Sequence, residues 1–591
     1  MHILSAQLKA EKLFVRFLSS WCVASIYAIL TTAIGFDTLS FVQILSKWQF
    51  LLVMLLTFAY LTVLDIRLPN GRSDAIGLLI SVFSFAALML FRKREFYFSL
   101  VVLVVLVFVG YYLLRDDKLK LMNYHPSRRS VILGIVLAAA VYFLYVGGVT
   151  TFRYLKYSTS TYDFGIFAQM FYNMKETLLP MTTCERDGLL SHFAIHLSPI
   201  YYLLLPVYAI FPSPITLQLS QALVVVSGVV PLYLLSGHFQ LGGKTRLGIC
   251  VAYCLYPALM GGCFYDIHEN MFLAPLLLWL MYFLEKGQTV GLYISAVLTL
   301  MVKEDAAIYV ACVALFAMIC QKKWRDGAIL FVGAVTYFFA ALGILNAMGH
   351  GAMLGRYGNF MTDPSGGMLD VVKTIFLNPA YMFTQLLTED KFRFLLLMLL
   401  PVGALPLLNR RLSQLVLLIP FLVVNLLTNY VYQYSIYFQY IFGSSALIFY
   451  LSVRNLSEMR SGTRRYIVPF IVVASCMLSI STMSGYSDNF SYIRDHAQYR
   501  QLDAYLEMVP EEATVQASGF FVPALSQRPV IYNHESKHKT EYIVLDLRPG
   551  YERNADALIK KYEEEGYVRV AYEPNLIIIL HDPHYAESAS S

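Results

Sequence analysis

The chain has 591 residues, 58% of them hydrophobic and 14% charged, with a mean hydropathy of +0.57. Soluble domains carry about 25% charged residues, so a soluble globular protein is excluded and a polytopic membrane protein is expected, its apolar runs of about 20 residues recurring along the chain. The net charge of +6 is no signal for nucleic acid, because Lys and Arg fall in short clusters between apolar runs, where they set topology.

The eight cysteines sit mostly inside apolar segments, which implies no disulfide framework. Only Cys184 and Cys263 fall where they could meet outside the membrane. The first apolar run, 13–34, is long and lacks a small-residue cleavage site, so it reads as a retained signal-anchor helix. With the runs 48–64, 75–91 and 96–114 it forms an N-terminal block (residues 1–129) of about four spans. No acid or base is expected deep in that block, which reads as packing or anchoring.

A fifth span, 131–147, follows the basic stretch 115–129. Basic loops stay cytoplasmic, so this helix runs outward and the polar interval 158–196 is extracytoplasmic. The next run, 196–211, is short and carries Pro199 and Pro206. Were it to span, the later basic loops would fall on the wrong side, so it is expected to lie in the interface or re-enter. The first outer loop then covers 148–212. The remaining runs alternate regularly up to 467–483, each inward end meeting Lys or Arg, for about 15 spans in all. Arg92, Lys93 and Arg94 are the exception and fall outside.

Beyond residue 484 the composition changes. A polar helical pattern over 488–506 precedes strand-like runs rich in Val, Ile and Tyr: TVQASG, PVIYN, EYIVLDL, YVRVAYEP and NLIIIL. A helix is predicted over 551–565, and the turn at 573–575 predicts a hairpin. The expected architecture is therefore a helical transmembrane core over 130–484 followed by a small extracytoplasmic α/β domain over 485–591.

Four polar clusters fall on the outer side: Asp163 in STSTYDFGIFAQMF; Asp266, His268 and Glu269 in CFYDIHENMF; Lys303, Glu304 and Asp305 in one turn; Arg356 with Tyr357 in LGRYGNF. Ionisable groups near hydrocarbon are costly, so their default reading is functional. Carboxylates can serve as bases or metal ligands, and Lys or Arg can grip phosphate. Each has a structural alternative. Ser160 and Asp163 are spaced much like a capping box, Asp266 could cap the next helix with Glu269 at its third position, and the Lys303–Asp305 turn could neutralise itself. His192 and His196 are four apart, on one face if helical. No HExxH occurs, so zinc hydrolysis is not expected. The Tyr-rich stretch 430–440 reads as an aromatic belt or as the lining of an entry for lipid or sugar. No P-loop signature is present, and the two halves show no matching interrupted helices of the transporter kind.

With Asp163 in TYDFGIFAQ, the segment HLSPIYYLLLP and Asp266 in FYDIHEN, the layout resembles the GT-C superfamily of integral-membrane glycosyltransferases. More closely, on YDFGIFAQ, SHFAIHLSPIYYLLLPVY, FYDIHENMF and the KED turn, it looks like an uncharacterised bacterial family of predicted membrane proteins related to them, over about 131–582. There is no Asp-x-Asp in the first outer loop and no WWDYG-like motif, which argues against an oligosaccharyltransferase. The resemblance implies sugar transfer from a polyprenyl-phosphate donor to a glycan, lipid or protein acceptor at the outer face of the cytoplasmic membrane. In that reading Asp163 is the base. Lys303 and Arg356, with His192, His196 and Tyr162 beside them, meet the donor phosphate. Asp266, His268, Glu269, Glu304 and Asp305 shape the pocket or bind a divalent ion, Mg or Mn. The alternative is a non-enzymatic transporter or scaffold for lipid-linked glycans.

Overall fold

The computed structural model describes residues 9–68, 72–121, 124–159, 163–349, 354–363, 367–552 and 554–585. Among these, nine helical stretches are long and apolar enough to cross a bilayer, beginning with Ala10–Thr31, Lys47–Arg67, Ser73–Arg92 and Phe96–Arg115. A helix rises 1.5 Å per residue, so each covers about the 30 Å of hydrocarbon. The fifth, Arg128–Leu155, has 28 residues and runs a full two turns past the expected end at 147. Its last turn carries Arg153 out of the apolar stretch.

The N-terminal block corrects one expectation. Arg16 is fully buried, and its guanidinium pairs with Asp65 at 2.9 Å and Asp74 at 2.8 Å. Ser73 adds a hydrogen bond to Asp65 at 2.9 Å. Three helices of the block are thus tied by a buried ion cluster at one end. Arg92–Arg94 lies at the other end, with the Arg94 guanidinium over Gly485 and Lys93 near Asp37 and Glu95 at 3.6 and 3.5 Å.

Residues 196–211 do not span. They form a 3-10 turn, Pro199–Leu203, and a six-residue helix, Leu205–Ile210, as the two prolines require. Further on, some predicted spans are built from shorter pieces: Leu273–Lys286, Thr289–Leu300 and Phe442–Glu458. The run expected as a span at 392–408 is a helix, Glu389–Leu399, broken by 3-10 turns at Leu400–Val402 and Leu405–Leu407. Pro401 and Pro406 remove donors there, and Gly403 and Ala404 both take positive φ, 61° and 51°. The run at 415–428 likewise folds as a 3-10 turn and a π turn.

The C-terminal region forms the expected sheet. Two short strands come first in the chain, β1 (Met181–Thr182) and β2 (Leu190–Ser191), paired in the loop. The C-terminal strands are β3 (Val515–Ala517), β4 (Ile531–Asn533), β5 (Tyr542–Asp546), β6 (Val568–Glu573) and β7 (Ile577–His581), in the order β4-β3-β5-β7-β6. The β6–β7 hairpin turns at Asn575, whose φ of 59° suits an Asn. This sheet docks on the loop that contains Asp163. Gln169 donates to the carbonyl of Pro529 at 3.0 Å, Thr183 to that of Ile531 at 2.7 Å, and Arg548 to those of Lys156 and Tyr157 at 3.0 and 2.8 Å.

All eight cysteines are free thiols. Cys184 faces the Ile531 carbonyl and Cys263 the Tyr142 hydroxyl, so the two do not meet.

Candidate functional site

Asp163 opens the helix Asp163–Thr177, where a carboxylate is favoured by the helix dipole. Ser160, its expected capping partner, and Tyr162, grouped with the donor contacts, lie outside the described residues. The Asp163 carboxylate is half-buried and accepts a hydrogen bond from the Tyr265 hydroxyl at 2.7 Å. Tyr265 is the hinge of the site. Its ring stacks on His268 at 5.1 Å and meets Phe438 at 4.5 Å.

Asp266 follows at once. It does not cap the next helix: the 3-10 turn Glu269–Phe272 begins after His268, without a side-chain cap. Its φ of 97° is a strained value for a residue with a Cβ, and such strain gathers at functional sites. Its carboxylate is buried, where Gln218 donates at 2.7 Å and Arg153 lies at 3.6 Å. Burial pushes the carboxyl up to about 6, against the pull of Arg153 and Gln218. Arg153 also donates to the carbonyls of Phe264 and Ser158, and so clamps the Asp266 loop to the end of its own helix.

Behind this lies a second ion pair. Glu269 binds Lys303 at 2.8 Å and accepts from the Tyr201 hydroxyl at 2.9 Å. Lys303 is only 2% exposed. Burial opposes ionisation of Glu269, but Lys303 and the surrounding histidines outweigh it and hold its carboxyl below the usual range. Burial likewise opposes the charge on Lys303, and Glu269, Glu304 and Asp305 override it. The pair is charged and buried.

The two histidines do not share a ligand. His192 pairs with Glu185 at 2.8 Å and His196 with Glu304 at 3.0 Å. Burial works against the His192 proton, and Glu185 restores it, leaving the ring more basic than usual. Burial dominates at His268, whose ring is pushed towards neutrality. Asp305, which precedes the helix Ala306–Gln321, has its carboxyl raised by burial. Among the described residues no group of three or more His, Cys, Asp or Glu side chains is placed to hold a metal ion. Of the acids proposed as ligands, Asp266, Glu269 and Glu304 face separate partners instead.

Aromatic rings connect these groups. Phe167 lies 5.3 Å from His192 and 4.9 Å from His268. From Tyr265 a run of rings leads through Phe438, Tyr432 and Tyr430, at 4.4 and 4.9 Å between successive members. It ends at Arg356, whose guanidinium sits 4.7 Å from the Tyr430 ring centre and 5.3 Å from that of Tyr440. The Lys303 ammonium lies 5.9 Å from the same Tyr440 ring. The Tyr-rich stretch is therefore the wall between Asp163 and Arg356. Asp163, Tyr265 and Arg356 are half-buried at its mouth, whereas Asp266, Glu269 and Lys303 form a buried floor.

Of the four polar clusters expected on one face, with Asp305 and Tyr357 among them, the structure connects Asp163, His268, Glu269, Lys303 and Arg356 through Tyr265 and the tyrosine rings. Sequence reading missed Arg153, because the helix was ended at 147. It also passed over Tyr201, Gln218 and Tyr265. The one available signal for Arg153 was a lone arginine between an apolar run and a polar interval.

Helices of spanning length and the apolar composition define a multi-pass membrane protein. A family described as "Predicted membrane protein (DUF2079)" matches residues 153–576. The chain belongs to that family, and the matched segment contains every site residue named above. Among solved structures, the chain matches ArnT from Cupriavidus metallidurans, crystallised with undecaprenyl phosphate, at 12% identity and a TM-score of 0.45, over 75% of this chain and 98% of that one. No curated protein matches.

Proposed function

We propose that this chain is a membrane glycosyltransferase that moves a sugar from a polyprenyl-phosphate donor to an acceptor at the extracytoplasmic face. The supporting observation is the mouth of the site, where a half-buried carboxylate and a half-buried guanidinium stand at opposite ends of one aromatic wall. Asp163 takes the proton of the acceptor hydroxyl as it attacks the anomeric carbon, the role a carboxylate within hydrogen-bond reach can fill. Tyr265 holds that carboxylate in place. Arg356 meets the donor phosphate and neutralises the charge that builds on the leaving oxygen. Lys303 stands one ring behind it and adds positive potential from the floor, and the tyrosines give the sugar flat faces to lie on. Glu269, Asp266 and Arg153 keep the floor rigid, since catalytic groups need support from behind to hold their geometry. The polyprenyl chain lies between spans in the bilayer.

The test is transfer of radiolabelled sugar from a panel of polyprenyl-phosphate donors into the lipid and polymer fractions of membranes holding the chain. Asp163→Asn should abolish transfer without loss of protein from the membrane. Full transfer by that variant would remove the assigned base.

A second reading has one observation in its favour: Asp266, Glu269, Glu304 and Glu185 are each matched to a cation or a histidine, as the polar framework of a scaffold would be. No transfer from any donor, in membranes where the folded chain is abundant, would favour it.

A further inference from the structure

At the end of the bundle away from Asp163 the chain has a large groove. The helices Arg128–Leu155 and Ser461–Met483 both begin there and finish near the site, where Tyr145 donates to the carbonyl of Met483 at 2.8 Å. A helix of 23 residues is about 35 Å long, so the groove and the candidate site lie on opposite sides of the bilayer. Between them runs Gly243–Cys254, pressed on Ser461–Met483 so closely that a Cβ at Gly248 would stand 2.3 Å from Val468 Cγ1. This contact is the floor of a groove of about 1020 Å³.

The groove is amphipathic. Leu247, Val251, Val468 and Val472 line its depth, and Lys244, Arg464 and Arg465 stand at its rim with His125 and a single acid, Asp117. Two of the cations are engaged with the protein: Lys244 donates to the carbonyl of Leu121, and Arg465 to those of Leu114 and Arg115. Arg464 is different. It is half-buried, and among the described residues its guanidinium has neither a hydrogen bond nor an ion pair. A guanidinium withdrawn partly from water presents five donors in a planar fork suited to a phosphate. The nearby Tyr111–Tyr466 ring pair, 5.8 Å apart, marks the level at which aromatic side chains meet the headgroups.

We propose that this groove is a binding site for an anionic glycerophospholipid of the leaflet opposite the candidate active site. The acyl chains lie along Leu247, Val251, Val468 and Val472, and the phosphate is received by Arg464. Excess positive charge at the rim excludes zwitterionic lipids only by their weaker attraction, so the selectivity is electrostatic. Basic pockets between spans commonly take anionic headgroups in this way. The site is independent of the proposed glycosyl transfer, because none of its residues touches that machinery.

The experiment is native mass spectrometry of the full chain in detergent with equimolar phosphatidylglycerol and phosphatidylcholine of identical acyl chains. The wild type should retain the anionic lipid about five- to ten-fold over the zwitterionic one, the scale of one or two cation contacts. Arg464→Gln should bring the ratio close to one, while Arg129→Gln, an exposed cation outside the groove, should leave it unchanged. Rising ionic strength should erode the preference of the wild type itself, a readout independent of how any variant folds. Equal retention of both lipids by the wild type would overturn the proposal. So would an undiminished preference in Arg464→Gln, or an equal loss in Arg129→Gln.

Discussion

Two buried ion clusters in this chain do different work. In the N-terminal block Arg16 is matched by Asp65 and Asp74, with Ser73 and Lys12 completing the shell of Asp65. At the candidate site Lys303 and Arg153 face Glu269 and Asp266, yet Asp266 Oδ2, His192 Nε2 and Asp305 Oδ1 are buried with no hydrogen bond. Unsatisfied buried polar atoms are uncommon and call for an explanation. The first cluster closes on itself and holds three helices together. The second leaves buried polar atoms without a hydrogen bond, which fits the proposed site.

The comparison can be broken most severely at the mouth of the site. Asp163→Asn should lower transfer by roughly 100- to 10,000-fold, the range of a lost general base, with thermal stability unchanged in detergent. At the other cluster Arg16→Met should do the reverse. It leaves the buried Asp74 without a cation and Asp65 with Lys12 alone, and should cost about 3–5 kcal/mol, read as a lower thermal midpoint and yield, while the protein that folds keeps its turnover. Replacing Arg16, Asp65 and Asp74 together with apolar residues should recover most of that loss.

Asp266 sharpens the contrast through pH. Its folded value of about 6 lies above the ordinary 3.8, so the folded chain binds this proton more tightly than the unfolded one. The group is a penalty above pH 6, and the penalty is relieved as pH falls towards 4. Asp266→Asn should therefore be the more stable protein at pH 7, by on the order of 3 kcal/mol, and lose that advantage near pH 4. Thermal midpoints of both proteins across that range test it. The smallest effect is expected for Tyr265→Phe. One hydrogen bond to a carboxylate is removed, worth about 1.5–3 kcal/mol, so turnover should drop by roughly 10- to 100-fold while the KM for donor stays near the wild-type value.

Much of the site was legible from local pattern. Asp163, the FYDIHEN run and the KED turn stood out because each sets ionisable groups beside long apolar runs, where they are costly. The non-spanning character of 196–211 followed from two prolines and the basic loops downstream. The strands after residue 514 were legible from their Val, Ile and Tyr content. The breaks at 400–428 were not anticipated, although Pro401, Pro406 and Pro420 lay in plain view; their hydropathy outweighed them. Arg16 was overlooked for a related reason, since a lone cation in the first turn of a span looks like a boundary until its partners, about 50 and 58 positions away, are brought beside it.

By itself, then, the sequence determined that the chain is a helical membrane protein, which residues are costly near hydrocarbon, and that a small sheet follows the last span. These follow from composition and short-range periodicity, which act within a few turns of helix. Tertiary structure alone decided that Lys303 meets Glu269, that Arg153 meets Asp266, that Tyr265 connects Asp163 to an aromatic wall, and that the C-terminal sheet rests on the loop bearing Asp163. Those pairings join residues 34 to 392 positions apart. Charges that far apart in sequence carry no mark of their partner, and only packing of the helices selects which of them share the same dry space.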